Sequence, residues 1–161
     1  MIVNRLLHTP KPVRHAVEWS LRTSASLHNR ETSDAVIVSG SPRGGTTWLA
    51  EIVRAGKHRR IVWEPLIPEN NHHLHKVGGY RDIYLPPADP APRWKAHFDK
   101  IIRGRSIAAP LLGPIPHTVR EAFFERKLLF KFTRANLLLP WVNHHYPETQ
   151  AVVIIRHPCA V

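Results

Sequence analysis

The chain has 161 residues, 43% of them apolar and 22% charged, with 23 Lys and Arg against 12 Asp and Glu for a net charge of +11. That length and apolar share suit one globular domain with a real core and exclude a disordered tail. The positive excess points to an anionic partner, and a single cysteine, Cys159, excludes an internal disulfide framework.

The basic residues are scattered. No Lys/Arg run of five occurs, so a nucleic-acid-binding arm is not expected. No stretch of 18 apolar residues and no signal-peptide core are found. A cytoplasmic chain without a transmembrane segment is the expectation.

Residues 1–34 read as a lead-in, in which Val13, Ala16, Val17 and Leu21 share helical spacing. The domain proper starts at Ala35 and runs to Val161. Ala35-Val36-Ile37-Val38 has the composition of a short buried strand. Ser39 to Gly45, with three glycines and a proline, is expected to end it. Thr46-Thr47 then open a helix whose apolar face is expected to carry Trp48, Leu49, Ile52 and Val53.

Strand, glycine turn and helix start form an anion cradle. Backbone N–H groups face outward, glycines allow close approach, and the helix dipole favours negative charge. Arg43 adds a forked cation suited to phosphate. Gly40 and Gly45 keep the spacing of a nucleotide triphosphatase loop, but Thr46 stands where that loop has Lys.

Gly56 to Arg60 is expected to form the helix's C-cap and turn, followed by a strand at Ile61-Val62-Trp63. Pro65 ends that strand and holds Glu64 at its carboxyl end, the edge where the loop also lies in a parallel sheet. Residues 66–117 are rich in proline and histidine. His72, His73 and His75 lack partners at zinc-like spacing, so a substrate-facing segment is expected there rather than a metal site. Within it, Trp94, Phe98, Ile101 and Ile102 have the spacing of a helix with one buried face.

Thr118 to Arg126 carries a capping-box pattern, Thr118 with Glu121. Leu128 to Thr133 reads as a buried strand, in which Lys131 is out of place unless its ammonium meets an anion. Arg134 to Tyr146 reads as a helix interrupted by Pro140. Ala151 to Ile155 has the pattern of a central parallel strand, and Arg156 follows it. The fold class expected is α/β, a parallel sheet flanked by helices.

Three stretches in order, GSPRGGTTW from Gly40, WEPL from Trp63 and VVIIRHPCAV from Val152, resemble the sulfotransferases that use 3′-phosphoadenosine 5′-phosphosulfate. The first is similar to that family's 5′-phosphosulfate loop, with Gly44 in place of the usual Ser. The last is similar to the start of its 3′-phosphate motif, with His157 in place of Asp, and the family's following Ser would fall past Val161. The resemblance implies a P-loop-like fold of which this chain carries the first part, truncated and weakly active alone. It implies Gly44, Gly45, Thr46 and Thr47 on the 5′-phosphate, Arg156 on the 3′-phosphate and Trp48 on the adenine. It implies Arg43 and Lys131 as electrostatic catalysts and Glu64 as general base. No metal is implied. The acceptor stays open among carbohydrate, tyrosine, lipid and small alcohol. Two other readings remain: a P-loop nucleotide kinase or triphosphatase, and a non-catalytic basic module that binds an anion.

Overall fold

The structure, a computed structural model, describes residues 31–57, 59–67, 82–105, 127–157 and 159. The expected helices at Val13–Leu21 and Thr118–Arg126, and the histidine-rich run at 70–75, lie outside these. The elements in chain order are β1 (Ala35–Gly40), α1 (Thr46–Lys57), β2 (Arg60–Trp63), α2 (Pro92–Ile102), β3 (Leu128–Phe132), α3 (Leu139–His145) and β4 (Gln150–Ile154). A 3-10 turn at Thr32–Asp34 leads into β1.

The four strands form one sheet in the order β2-β3-β1-β4, parallel at every pairing. Helices between the strands make the fold α/β. β1 runs longer than its composition implies. Ser39 pairs with Phe132 on one side and Val153 on the other, and Gly40 pairs with Ile154. Ladder partners on both sides of Ser39 and on one side of Gly40 hold these residues extended although neither favours a strand.

Two apolar layers sandwich the sheet. On one face Ile37, Phe130 and Phe132 pack against Trp94 and Phe98 of α2 and Trp141 of α3. Phe98 stands at the centre, with its ring 5.4 Å from Tyr146 and 6.0 Å from Trp141. The four residues expected to bury one face of α2 are all buried. On the other face Val36, Val38, Ile61 and Leu129 pack against Ala50 of α1.

Four expectations give way to packing. Of the expected face of α1, Leu49 and Val53 are partly buried against the sheet as expected, but Trp48 and Ile52 are exposed and the buried residues are Thr46 and Ala50. Both stripes have helical spacing, and contact with the sheet selects the narrower residues. α1 ends within the expected 56–60 stretch, but Gly56 and Lys57 still belong to the helix and Arg60 already belongs to β2. Pro140 lies in the first turn of α3 rather than interrupting a longer helix, since a first-turn N–H has no partner to lose. Among the described residues β4 pairs on one side only, with β1, and Val152 and Val153 are exposed. Its β-branched run resembles that of a central strand, but β1 takes the centre.

Candidate functional site

Because every pairing is parallel, the carboxyl ends of the strands share one edge of the sheet. The chain leaves β1 into α1 on one face and leaves β3 toward α3 on the other. Neighbouring strands whose exits diverge in this way open a crevice between them, the usual ligand position in open α/β sheets.

The glycine loop closes β1 at that crevice. The Gly44 N–H donates to the Ser41 carbonyl at 2.9 Å, which makes a tight turn. Arg43 has φ 60° and Gly45 φ 94°, so the loop passes twice through the left-handed region. A Cβ on Gly44 would lie 2.8 Å from the Ser41 carbonyl oxygen. The Gly44 amide is thus engaged inside the loop, which leaves the helix start as the source of free donors. Leu49 N–H donates to Gly45 O at 3.0 Å, so the amides of Thr46, Thr47 and Trp48 precede the first intrahelical bond. The Thr46 side chain is buried, and that of Thr47 is exposed.

Two arginines meet at this loop. Arg156, just past β4, donates from Nη1 to the Arg43 carbonyl at 3.2 Å. Both side chains are exposed. The loop's own carbonyl therefore draws Arg156 to it across the width of one strand. Trp48 stands on the first turn of α1 with 67% of its surface exposed, so it belongs to no core.

Glu64 and Lys131 form the second half of the site. Lys131 Nζ donates to Glu64 Oε1 at 2.6 Å, with only 9% and 15% of the two side chains exposed. The Thr133 N–H donates to Glu64 Oε2 at 2.9 Å. Glu64 itself has φ 45°, and its own N–H donates to the Lys131 carbonyl. The Lys131 ammonium also lies 5.7 Å from the centre of the Trp63 ring. The anion that a lysine in a buried strand required is thus this carboxylate. A cleft of about 110 Å³ opens beside it, lined by Glu64, Leu66, Ile67, Phe132, Thr133, Arg134 and Ala135.

Three participants escaped the sequence. Thr133 acts through its backbone, which carries no side-chain signal. Trp63 faces Lys131 because the two are register partners. Ser39, buried in β1, donates to Asn136 Oδ1 at 2.8 Å and ties the root of the loop to the turn after β3. A hydroxyl inside an apolar strand was the available hint. Among the described residues no group of three metal-ligating side chains occurs, and no helix is long and apolar enough to cross a membrane.

No protein-family model, curated protein or solved structure matches this chain.

Proposed function

We propose that the chain carries the cofactor half of a sulfotransferase-type domain with a P-loop-like fold, taking 3′-phosphoadenosine 5′-phosphosulfate as sulfuryl donor. One observation carries the reading. A glycine loop running into a helix start, an arginine bonded to the backbone of the loop arginine, and a Lys–Glu pair all lie on the carboxyl edge of one parallel sheet.

The donor set fits a bisphosphorylated nucleotide. The amides heading α1 and the Thr47 hydroxyl suit the 5′-phosphate, with Gly44 and Gly45 shaping the turn that leaves room for it. Arg156 suits the 3′-phosphate, and the exposed Trp48 indole offers a face to the adenine. When bound, the nucleotide supplies the sulfuryl group for in-line transfer to an acceptor hydroxyl or amine. Arg43 and Lys131 would neutralise negative charge at the bridging oxygen, as in phosphoryl transfer. Glu64 would take the acceptor's proton as general base. Carbohydrate, tyrosine, lipid and small alcohol all remain acceptors compatible with these roles.

Calorimetric titration of the chain with adenosine 3′,5′-bisphosphate, without magnesium, tests the reading. Binding is expected, and Arg43→Ala should weaken it by about 10- to 100-fold, the value of a charge-assisted hydrogen bond or two. Binding only in the presence of magnesium would favour a nucleotide phosphohydrolase instead.

A further inference from the structure

Glu64 has more to do in this arrangement than accept a proton. One of its carboxylate oxygens receives the Lys131 ammonium and the other the Thr133 N–H. The ammonium holds Oε1 in an ion pair, which lowers the basicity of that oxygen toward an acceptor's proton. The sheet order shows where the ammonium could go. β3, which carries Lys131, lies between β2 and β1. Glu64 extends from β2 on one side, and the glycine loop extends from β1 on the other. Lys131 pairs in register with Trp63 toward Glu64 and with Val38 toward the loop. Adjacent strands are about 4.8 Å apart, well within the swing of a four-carbon side chain. Lys131 also projects from the face that α1 covers, since it lies two positions after Leu129 on the same strand.

We propose that Glu64 sets the anion affinity of the loop by competing with the bound anion for the Lys131 ammonium. An anion in the loop draws Lys131 away from Glu64, and the same movement frees Glu64 Oε1 for an acceptor. The carboxylate thus loses its ammonium partner only when the donor site is filled. The inference rests on the functional reading above for its nucleotide, but the competition itself needs only an anion. A lysine neutralised by a carboxylate adds little attraction for a second anion, and a lysine released from it adds a full charge-assisted bond.

The test is a double-mutant cycle on the full chain, with two probes, adenosine 3′,5′-bisphosphate and inorganic pyrophosphate. Glu64→Gln keeps an oxygen for the Thr133 N–H and removes the charge that holds Lys131. It should tighten binding of both probes about tenfold, while Lys131→Met weakens it. In the Lys131→Met background Glu64→Gln should have almost no effect. Tightening of equal size in both backgrounds would reduce Glu64 to a general field effect and overturn the proposal, as would no tightening in either.

The two readings fail separately. If the cycle appears with pyrophosphate and the nucleotide does not bind, the competition stands and the sulfotransferase reading falls. If the nucleotide binds without the cycle, the reverse holds. If neither probe binds, both fall. A second measurement avoids variants that fail to fold. In the wild-type chain, the Glu64 carboxyl carbon signal should shift as pyrophosphate saturates the loop, and an unchanged signal would overturn the proposal.

Discussion

Glycine shows at single-residue scale how position decides meaning. A Cβ on Gly40 would lie 2.6 Å from Ile154 Cγ2 and 2.8 Å from both the Ile154 carbonyl oxygen and Thr46 Cγ2. The carbonyl belongs to a paired strand and cannot move aside. Gly40→Ala should therefore destabilise the fold by about 1–3 kcal/mol through overpacking. Gly56 sits within α1 and nothing would meet its Cβ within 4 Å. Gly56→Ala should stabilise by about 0.5–1 kcal/mol, because alanine loses less freedom in a helix. Urea unfolding of both variants gives the two signs side by side. Three non-glycine residues at or near the site edge, Arg43, Glu64 and Asp82, hold φ at 60°, 45° and 51°. Such conformations cost about 1–3 kcal/mol each and persist only where neighbours hold them. For Glu64 those neighbours are Lys131 and Thr133.

At the scale of elements, α2 and α3 hold the sheet's far face through one aromatic cluster. Phe98 of α2 touches Phe132, Trp141 and Tyr146 and is fully buried. Phe98→Ala should cost about 3–5 kcal/mol, measured as a lower denaturation midpoint with unchanged slope. Tyr146, which ends α3, donates its hydroxyl proton to Asp99 Oδ1 at 2.8 Å. Burial first, then that bond, hold its pKa well above the ordinary value. The folded state keeps the proton that the unfolded state releases near pH 10, so this group's contribution is whole below about pH 10 and is lost as pH rises beyond it. The stability difference between wild type and Tyr146→Phe should be level through neutral pH and shrink above about pH 10. Thermal melts at several alkaline pH values check it. The start of β4 is fastened separately. Thr32 Oγ1 donates to Glu148, and Thr149 Oγ1 donates to the Thr32 carbonyl at 3.1 Å.

The whole molecule carries a net charge of +11, spread along the chain rather than gathered in one run. Such a charge raises the local concentration of any anion and speeds its arrival. Part of it is matched locally, as in the Lys95–Asp99 and Arg134–Asp82 pairs, and exposed pairs of this kind add little stability. Affinity for adenosine 3′,5′-bisphosphate should therefore fall as salt rises from about 0.1 M to 1 M, where the screening length shrinks from about 10 Å to 3 Å. The fall should be shallower for Arg43→Ala, which has one fewer cation at the loop. Titrations at a series of salt concentrations compare the slopes.

By itself the sequence determined what local chemistry can determine. Val36 to Val38 and Leu128 to Phe132 had to bury as strands, Trp94 to Ile102 had to bury one helical face, and the glycines ahead of Thr46 had to turn there. Those outcomes follow from side-chain periodicity and backbone freedom, which act over a few residues. Strand order depended on contacts between residues a hundred positions apart, as did the choice of Ala50 over Trp48 for the buried side of α1. The hold of Glu64 on Lys131, 67 positions away, is of the same kind. Both residues could be picked out singly as charges at strand ends. Only the parallel register, which sets β2 beside β3, made them partners.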